Sequence, residues 1–158
     1  MSAVHPSVFT HLQQAQVQFI LHKHADYPGP IKTPRDFAEA IGYSIERISK
    51  SLFVSAGQDR HAISVCSINK KSNFSPLADK LGWGRLEVGS AAELSRVTDY
   101  PSHGVSPLGV TLPIFIDSHL MSFETILVGA GQIGVEIEIS PRDLAAATSA
   151  VVLEFAHA

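Results

Sequence analysis

The sequence of 158 residues contains a single cysteine, Cys66. One cysteine excludes an intrachain disulfide, and its scarcity fits a reducing compartment. No run approaches the roughly 20 consecutive apolar residues that span a bilayer. Residues 1–8 lack a cationic region followed by an apolar run, so we expect no secretory signal. These absences predict a soluble cytoplasmic protein with no membrane partner.

Charge is also scarce in this chain. Charged residues make up 17%, against roughly 25% in an average soluble protein, and the formal net charge is -3. Because proteins that wrap a long duplex are usually basic, any nucleic-acid contact should be small, such as one end of an RNA. Hydrophobic residues make up 45%, which is enough for a continuous core. The length predicts one domain over residues 1–158.

Short helices and short strands alternate along the chain without repeats or linkers. Capping residues and apolar spacing predict helices over residues 5–16, 34–41, 45–48, 75–81, 91–97 and 141–148. Alternation predicts strands over residues 17–24, 51–55, 62–68, 85–88, 114–117, 124–128, 135–139 and 151–155. The hairpin signals and short crossovers favour a mixed or mostly antiparallel sheet.

Lys50 stands before the apolar strand residues Leu52 and Val54. Strand alternation places these three residues on one face and Ser51 and Phe53 on the other. A lysine at the end of an apolar face can hold its ammonium at the rim of a cavity, where it binds a phosphate or polarises a carbonyl. A lone lysine more often extends to solvent, so both interpretations stay open.

Glycine and proline concentrate in the segment His103-Gly104-Val105-Ser106-Pro107-Leu108-Gly109. Gly104 can adopt positive φ, and Pro107 restricts both itself and Ser106. The expected result is a stiff loop whose amides and carbonyls can hold a water or a sugar hydroxyl. An ordinary surface turn, with His103 exposed to solvent, is the alternative.

The segment Gly129-Ala130-Gly131-Gln132-Ile133-Gly134 matches the dinucleotide fingerprint G-x-G-x-x-G. That fingerprint requires a helix directly after it, whereas residues 135–139 alternate with period two. We therefore interpret the segment as a glycine-rich hairpin connection that leaves room near the backbone. The hypothesis of a nicotinamide oxidoreductase would rest on this glycine triplet alone.

Metal and nucleophile signatures are weak. None of the eight histidines forms a pair with convincing metal-ligand spacing, and His22 and His24 merely share a strand face. No G-x-S-x-G elbow and no paired carboxylates are recognisable, and Cys66 is expected in the core. Neither a metal nor another cofactor is expected. Cationic residues recur at Lys70, Lys71, Lys80 and Arg85, with Arg47 and Lys50 elsewhere. Most are expected on solvated faces, and a few near one mouth could steer an RNA end.

Taken together and in order, these features resemble the YbaK/prolyl-tRNA-synthetase editing-domain family. The resemblance is carried by Lys50 before its strand, by residues 104–109, by residues 124–128 and by residues 137–144. It runs from about Thr33 to Leu144. It implies an α/β (α+β) fold with a mixed, mostly antiparallel sheet that is curved into a partial barrel and flanked by helices.

The resemblance also implies an activity, the hydrolysis of mischarged aminoacyl-tRNA, most often tRNA(Pro). The family's lysine maps onto Lys50. The implied partners are the acceptor end of aminoacyl-tRNA and prolyl-tRNA synthetase, with monomer and dimer both open. The family's G-x-x-x-P loop does not map in register, because Gly104 to Pro107 is one residue short and counting from His103 puts histidine at the glycine position. Which backbone carbonyl meets the terminal adenosine therefore stays open.

A second departure concerns the amino acid that is removed. Family members that remove alanine carry a histidine after the strand matching residues 124–128, where this chain has Gly129 and Ala130. Cysteine-removing members resemble it more in this segment. In those members the substrate's own thiol attacks its ester, and in others the tRNA hydroxyl and a backbone-held water do this work.

The leading hypothesis is therefore a trans-editing aminoacyl-tRNA deacylase. Lys50 would hold the phosphate or ester end, and Gly104, Ser106 and Pro107 would complete the catalytic site. Substrate-binding roles fall to His103, Val105, Asp117, Gly129, Ala130 and Gly131. The rival hypothesis is a non-catalytic module that binds an aminoacyl-tRNA end or a small nucleotide and recruits a synthetase.

Overall fold

A computed structural model describes residues 3–158 of the chain. Within them the α-helices span Pro6–Ala15 (α1), Pro34–Ile41 (α2), Ser75–Leu81 (α3), Ala91–Thr98 (α4) and Pro141–Thr148 (α5). The strands span Phe19–Lys23 (β1), Ser49–Ser55 (β2), His61–Ser67 (β3), Lys71–Ser72 (β4), Glu87–Val88 (β5), Ile114–Asp117 (β6), Ile126–Gly129 (β7), Val135–Ile139 (β8), Val151–Leu153 (β9) and Ala156–His157 (β10). Short 3-10 turns occupy His24–Asp26, Ile45–Arg47 and Ser118–Ser122.

The strands form three sheets with the orders β1-β8-β7, β5-β2-β3-β6-β9 and β10-β4. The pairs β3–β6 and β6–β9 are parallel, and the remaining pairs are antiparallel. The predicted mixed α/β class with mostly antiparallel pairing is confirmed. The strands are distributed over three sheets, and an isolated parallel bridge between Ile48 and Leu127 joins the start of β2 to β7.

The helices begin and end where local chemistry requires. Thr33 and Asp36 form a reciprocal capping box at the start of α2, and Gly42 ends the helix in the left-handed region at φ +73°. Ser90 accepts a hydrogen bond from the Glu93 amide at the start of α4, and Ser140 does the same for Asp143 at α5. These caps explain why the bounds predicted for the helices agree closely with the structure.

The two faces of β2 pack into different parts of the core. Phe53 belongs to the larger apolar cluster, which β3, β6, β7, β8, α1 and α5 surround. Val54 belongs to a second cluster with Leu77, Phe155 and Cys66. Cys66 is fully buried in this cluster, which confirms the predicted core position, and burial raises the pKa of its thiol.

Some local predictions were wrong. The strand predicted over residues 17–24 is shorter and covers Phe19–Lys23. Phe19 is 39% and Leu21 36% exposed, because this strand pairs with β8 alone. The two-residue strands β4 and β10 were not predicted, since they depend on a distant pairing. Among the described residues, no helix is long and apolar enough to cross a membrane.

Candidate functional site

A cleft of about 640 Å³ lies along the free edge of β2. One edge of this strand pairs with β3 over its whole length, whereas on the other edge β5 reaches only Val54 and Ser55. The walls of the cleft are formed by residues 48–52, residues 31–34 at the start of α2, residues 102, 103 and 105, residues 133–136, and by His24, Ile68 and Gly129. Segments that are far apart in the sequence therefore meet around one cavity.

The glycine–proline loop and the β7–β8 hairpin touch through their main chains. A Cβ atom on Gly129 would lie 2.0 Å from the Val105 carbonyl oxygen, and one on Gly104 would lie 2.9 Å from the Gln132 carbonyl carbon. Gly104 does not adopt positive φ, contrary to our expectation. Its missing side chain matters because the hairpin backbone occupies that space. This side of the cleft is therefore a wall of main chain.

Hydrogen bonds hold the glycine–proline loop in place. The Tyr100 hydroxyl donates to the Leu108 carbonyl at 2.5 Å, and the Leu108 amide donates to Ser106 Oγ at 3.1 Å. The Gly109 amide donates to His11 Nδ1 of helix α1 at 2.8 Å. Ser106 and Pro107 are buried, so they shape the loop from behind, while His103 is exposed at the cleft.

Lys50 lines the cleft, and its ammonium is anchored. Its Nζ donates to the Lys70 carbonyl oxygen at 2.5 Å, in the turn that follows β3. Lys50 pairs with Cys66 across β2 and β3, on the face opposite to Ser49 and Ser51. An ammonium has three donors, so this bond leaves others for a ligand.

Ser51 contributes a hydroxyl with no partner. Its Oγ is buried and makes no hydrogen bond to the described residues, and the residue is part of the cleft wall. The neighbouring Ser49 is different, because its Oγ donates to the Leu127 carbonyl at 2.6 Å. Buried polar groups are normally paired, so an unpaired hydroxyl at a cleft can receive a ligand.

A carboxylate and a histidine face the cleft from the hairpin side. Glu136 lies on β8, and its Oε2 accepts from His24 Nε2 at 2.8 Å. His24 is held in turn, because its amide donates to the Gly134 carbonyl at 2.9 Å and its ring centroid lies 4.7 Å from that of Phe37. Burial raises the pKa of Glu136, and the hydrogen bond and charge of His24 oppose that rise only in part.

Two residues further along β8, Glu138 is enclosed by donors. Its oxygens accept from the Tyr43 hydroxyl at 2.9 and 3.0 Å, from His22 at 2.8 Å and from Thr125 at 2.5 Å. The Arg47 guanidinium lies 3.4 Å away and stacks 3.7 Å above the Tyr43 ring centroid. Burial raises the pKa of Glu138, but the hydrogen bonds together hold it below its usual value. This network ties β1, β7 and β8 to the turn before β2.

The cleft collects some of the residues predicted from the sequence and leaves others elsewhere. Lys50, His103, Val105 and Gly129 line it, whereas Gly104 is buried and is not among the lining residues. Other predicted residues lie outside its walls: Ser106, Pro107, Asp117, Ala130 and Gly131.

The bonding of these outer residues explains their position. The Asp117 carboxylate accepts from the amides of Phe155 and Ala156 at 2.9 and 3.0 Å, so it fixes the C-terminal segment. The Ala130 carbonyl accepts from the His5 amide at 3.0 Å, and a Cβ on Gly131 would lie 2.5 Å from His5 Cβ.

The sequence analysis missed His24 and Glu136. The available signal was the alternation in residues 135–139, which places Glu136 and Glu138 on one face of a strand. Their histidine partners precede them by more than 110 positions, so pattern reasoning within a segment cannot connect them. The strand β8 follows Gly134 directly, which confirms the predicted hairpin and removes the basis for the nicotinamide hypothesis.

The chain is similar to a known family and to several known proteins. Residues 28–147 match the family model described as the aminoacyl-tRNA editing domain. An Enterococcus faecalis protein, provisionally named Cys-tRNA(Pro)/Cys-tRNA(Cys) deacylase EbsC, is 26% identical over 114 residues, which cover 71% of this chain and 70% of that protein. An uncharacterised Bacillus subtilis protein, YwhH, is 27% identical over 114 residues and covers 71% of this chain and 72% of its own length.

Solved structures share the fold over nearly the whole chain. The crystal structure of the hypothetical protein APE2540 has a TM-score of 0.82 at 26% identity and covers 96% of this chain and 99% of its own. A structure described as a proposed trans-editing enzyme for prolyl-tRNA synthetase has a TM-score of 0.81 at 21% identity and covers 99% of this chain and 100% of its own. At that identity the second likeness concerns the fold alone.

Proposed function

The chain belongs to the aminoacyl-tRNA editing domain family, and we propose that it removes a small non-cognate amino acid, such as cysteine or alanine, from tRNA(Pro). The reaction class is hydrolysis of the ester that joins the amino acid to the terminal ribose. The observation that carries the proposal is the single cleft in which Lys50, the loop residues His103 and Val105, and Gly129 lie together.

Each wall of the cleft has a task in this proposal. Lys50 holds the phosphate or the ester carbonyl by electrostatic attraction, with the donors that Lys70 leaves free. The fixed main chain of residues 103–107, supported from behind by Ser106 and Pro107, positions the ribose with little ordering cost. The main-chain wall at Gly129 limits the size of the amino-acid side chain. Outside the wall, Ala130 and Gly131 hold this segment against His5, and Asp117 holds the C-terminal segment.

The attacking group comes from the substrate or from water in this proposal. The single cysteine is buried, and burial raises the pKa of its thiol. In cysteinyl-tRNA the substrate thiol is suited to attack its own ester carbonyl, which would expel the ribose oxygen as a hydroxyl and leave a cyclic thioester for water to hydrolyse. For other amino acids a water, oriented by the adjacent ribose hydroxyl, would attack the carbonyl and expel the ribose oxygen. Catalysis by positioning and electrostatics requires no protein nucleophile.

A panel of mischarged tRNAs tests the substrate. Cysteine, alanine, serine and threonine esters of tRNA(Pro) are compared, together with cysteine on tRNA(Cys), and ester loss and binding are measured separately. We expect faster ester loss for cysteine or alanine than for threonine. Binding without ester loss would instead support a non-catalytic module that recruits a synthetase.

Replacement of Lys50 tests the electrostatic contact. Lys50→Ala should lower the single-turnover deacylation rate by ~10²- to 10³-fold, the usual loss when one well-placed electrostatic contact is removed. Lys80→Ala is the matched control, because Lys80 is exposed on α3 outside the cleft. Near wild-type deacylation by a folded Lys50→Ala protein would reject this role.

Prolyl-tRNA synthetase is the proposed partner, because it produces the mischarged tRNA(Pro), and we propose that residues 1–158 act as one editing domain. If the partnership is real, adding the synthetase should raise the deacylation rate at limiting enzyme. The same addition should leave hydrolysis of cysteinyl-tRNA(Cys) unchanged. Equal rates on tRNA(Pro) with and without the synthetase would argue against it.

A further inference from the structure

Glu136 offers the cleft a carboxylate with one oxygen uncommitted. Over residues 3–158, its hydrogen bonding consists of the contact from His24 Nε2 to Oε2, which leaves Oε1 without a partner. The side chain is only 16% exposed, and the residue forms part of the cleft wall. Glu138, on the same strand face, has four side-chain neighbours that donate to it. The hydrogen-bond acceptor that remains free on this face is therefore Glu136 Oε1, which belongs to a residue of the cleft wall.

Among the described residues, neither lysine that lines the cleft, Lys32 or Lys50, forms an ion pair with this carboxylate. The Lys50 ammonium is bound to the Lys70 carbonyl. The groups that favour the charged form of Glu136 are His24 and His22, and their effect is smaller than that of burial, so the pKa of Glu136 stays above its usual value. A largely buried carboxylate that lacks a full set of partners is stabilised when a cation arrives.

An aminoacyl ester supplies such a cation next to its reactive bond. Its α-amino group is separated from the ester carbonyl by a single carbon atom. An α-amino group has a pKa of about 7.7–8.0, so a large part of it is protonated at neutral pH. A substrate whose ester lies at the Val105 loop therefore brings an ammonium group into the same cleft as Glu136.

We infer that Glu136, positioned by His24, binds the α-ammonium group of the aminoacyl ester and restricts hydrolysis to esters with a free amino group. This inference rests on the proposed function and adds a requirement on the substrate. An ester whose amino group is acylated, as in peptidyl-tRNA, carries no ammonium group. It would place an uncharged acyl group against the largely buried carboxylate of Glu136. Glu136 thus separates aminoacyl esters from peptidyl esters.

The test compares alanyl-tRNA and cysteinyl-tRNA with their N-acetylated forms in single-turnover deacylation by the full chain. Wild type should hydrolyse the free-amine esters at least ~10-fold faster than the acetylated ones, since a charge-assisted hydrogen bond has about that effect. Glu136→Gln should slow hydrolysis of the free-amine esters by about 10- to 100-fold and change the acetylated ones little, so the preference disappears. Glu136→Asp keeps the charge and should keep most of the preference.

Two further variants complete the design. Glu124→Gln makes the same chemical change at an exposed glutamate outside the cleft and should leave both rates unchanged. His24→Phe removes the positioning bond but keeps an aromatic ring near Phe37, and should raise KM for the free-amine esters more than it lowers kcat. Thermal unfolding shows whether each variant is folded.

The outcomes distinguish this inference from the function on which it rests. If wild type hydrolyses free and acetylated esters equally well, the α-ammonium role is wrong while the deacylase function stands. If Glu136→Gln slows both ester types by the same factor, Glu136 acts on the ester or on the fold and the inference is overturned. If wild type hydrolyses neither, the proposed function itself fails.

Discussion

Glu136 and Glu138 lie on the same face of β8, two residues apart, and differ in their hydrogen-bond partners. Glu138 is 5% exposed and accepts hydrogen bonds from Tyr43, His22 and Thr125, with Arg47 beside it. Glu136 accepts from His24, and in the described chain from nothing else. The pKa of Glu138 lies below its usual value, and that of Glu136 lies above it.

This difference shows that hydrogen-bond donors can outweigh the effect of burial on the pKa of a carboxylate on this strand. Burial is the largest influence on the pKa of both residues and raises both. The hydrogen bonds from Thr125, His22 and Tyr43 outweigh burial at Glu138, whereas the hydrogen bond from His24 does not outweigh it at Glu136. The first carboxylate is committed to the fold, and the second is available to a ligand.

The largest expected effect comes from breaking the closed network. Glu138→Gln should lower the free energy of unfolding by about 3 kcal/mol at pH 7, because the new amide group faces donors and Arg47 loses its carboxylate. For a chain of this size that corresponds to a fall in Tm of roughly 6–12 °C. Circular dichroism during thermal and urea unfolding measures it, with Glu124→Gln as the exposed control. A loss below about 1 kcal/mol would contradict the structural role.

A smaller effect should appear in the pH dependence of the free energy of unfolding, with opposite signs for the two glutamates. The pKa of Glu138 is depressed by folding, so its contribution to stability is fully present above about pH 4.3, its unfolded value, and is lost as the pH falls through the folded pKa. The pKa of Glu136 is raised by folding, so its contribution is greatest below about pH 4.3 and declines as the pH rises through the folded pKa.

At pH 7 the free energy of unfolding of Glu136→Gln should therefore equal that of wild type or exceed it by up to about 1 kcal/mol. Any such gain should disappear below about pH 4. Glu138→Gln should recover part of its deficit over the same acid range. Urea unfolding between pH 3.5 and 8 follows both variants. A marked loss of stability in Glu136→Gln at pH 7 would mean that its carboxylate is also part of the structural framework.

The smallest effect extends the comparison to hydroxyl groups. Ser51→Ala should change the free energy of unfolding by less than about 0.5 kcal/mol, because the lost hydroxyl has no partner. Ser49→Ala should cost about 1 kcal/mol, because it removes a bond to the Leu127 carbonyl. Chemical denaturation of the two variants side by side measures the difference. Equal losses would show that Ser51 has a stabilising contact after all.

Local chemistry made much of the fold predictable. The bounds of α2 follow from Thr33 and Gly42, and the strand over residues 114–117 was predicted with its observed limits. The two-residue strands β4 and β10 could not be predicted in this way. Their pairing depends on a C-terminal segment that Asp117 holds through hydrogen bonds 38 and 39 positions away.

The site was predictable only where its chemistry is local. A lysine at the head of a strand and a glycine–proline loop are visible in the sequence, and Lys50, His103 and Val105 do line the cleft. The pair of His24 and Glu136 is not visible, because neither residue is unusual in its own segment. Asp117 is the opposite case. A carboxylate at a strand end was predicted to bind a ligand, but it accepts hydrogen bonds from the main-chain amides of the C-terminal segment.

The contact between Gly129 and the Val105 carbonyl bears on how this pocket can diversify. At this contact two main-chain segments meet directly, so substitution at Gly129 is not tolerated. Even a methyl group there would lie 2.0 Å from the Val105 carbonyl oxygen. Under the proposed function, we expect changes in amino-acid preference to arise from other lining residues, such as Ile31, Ile48 and Ile68, whose side chains can be replaced. Directed evolution of new editing selectivity would begin at those isoleucines and keep the glycine fixed.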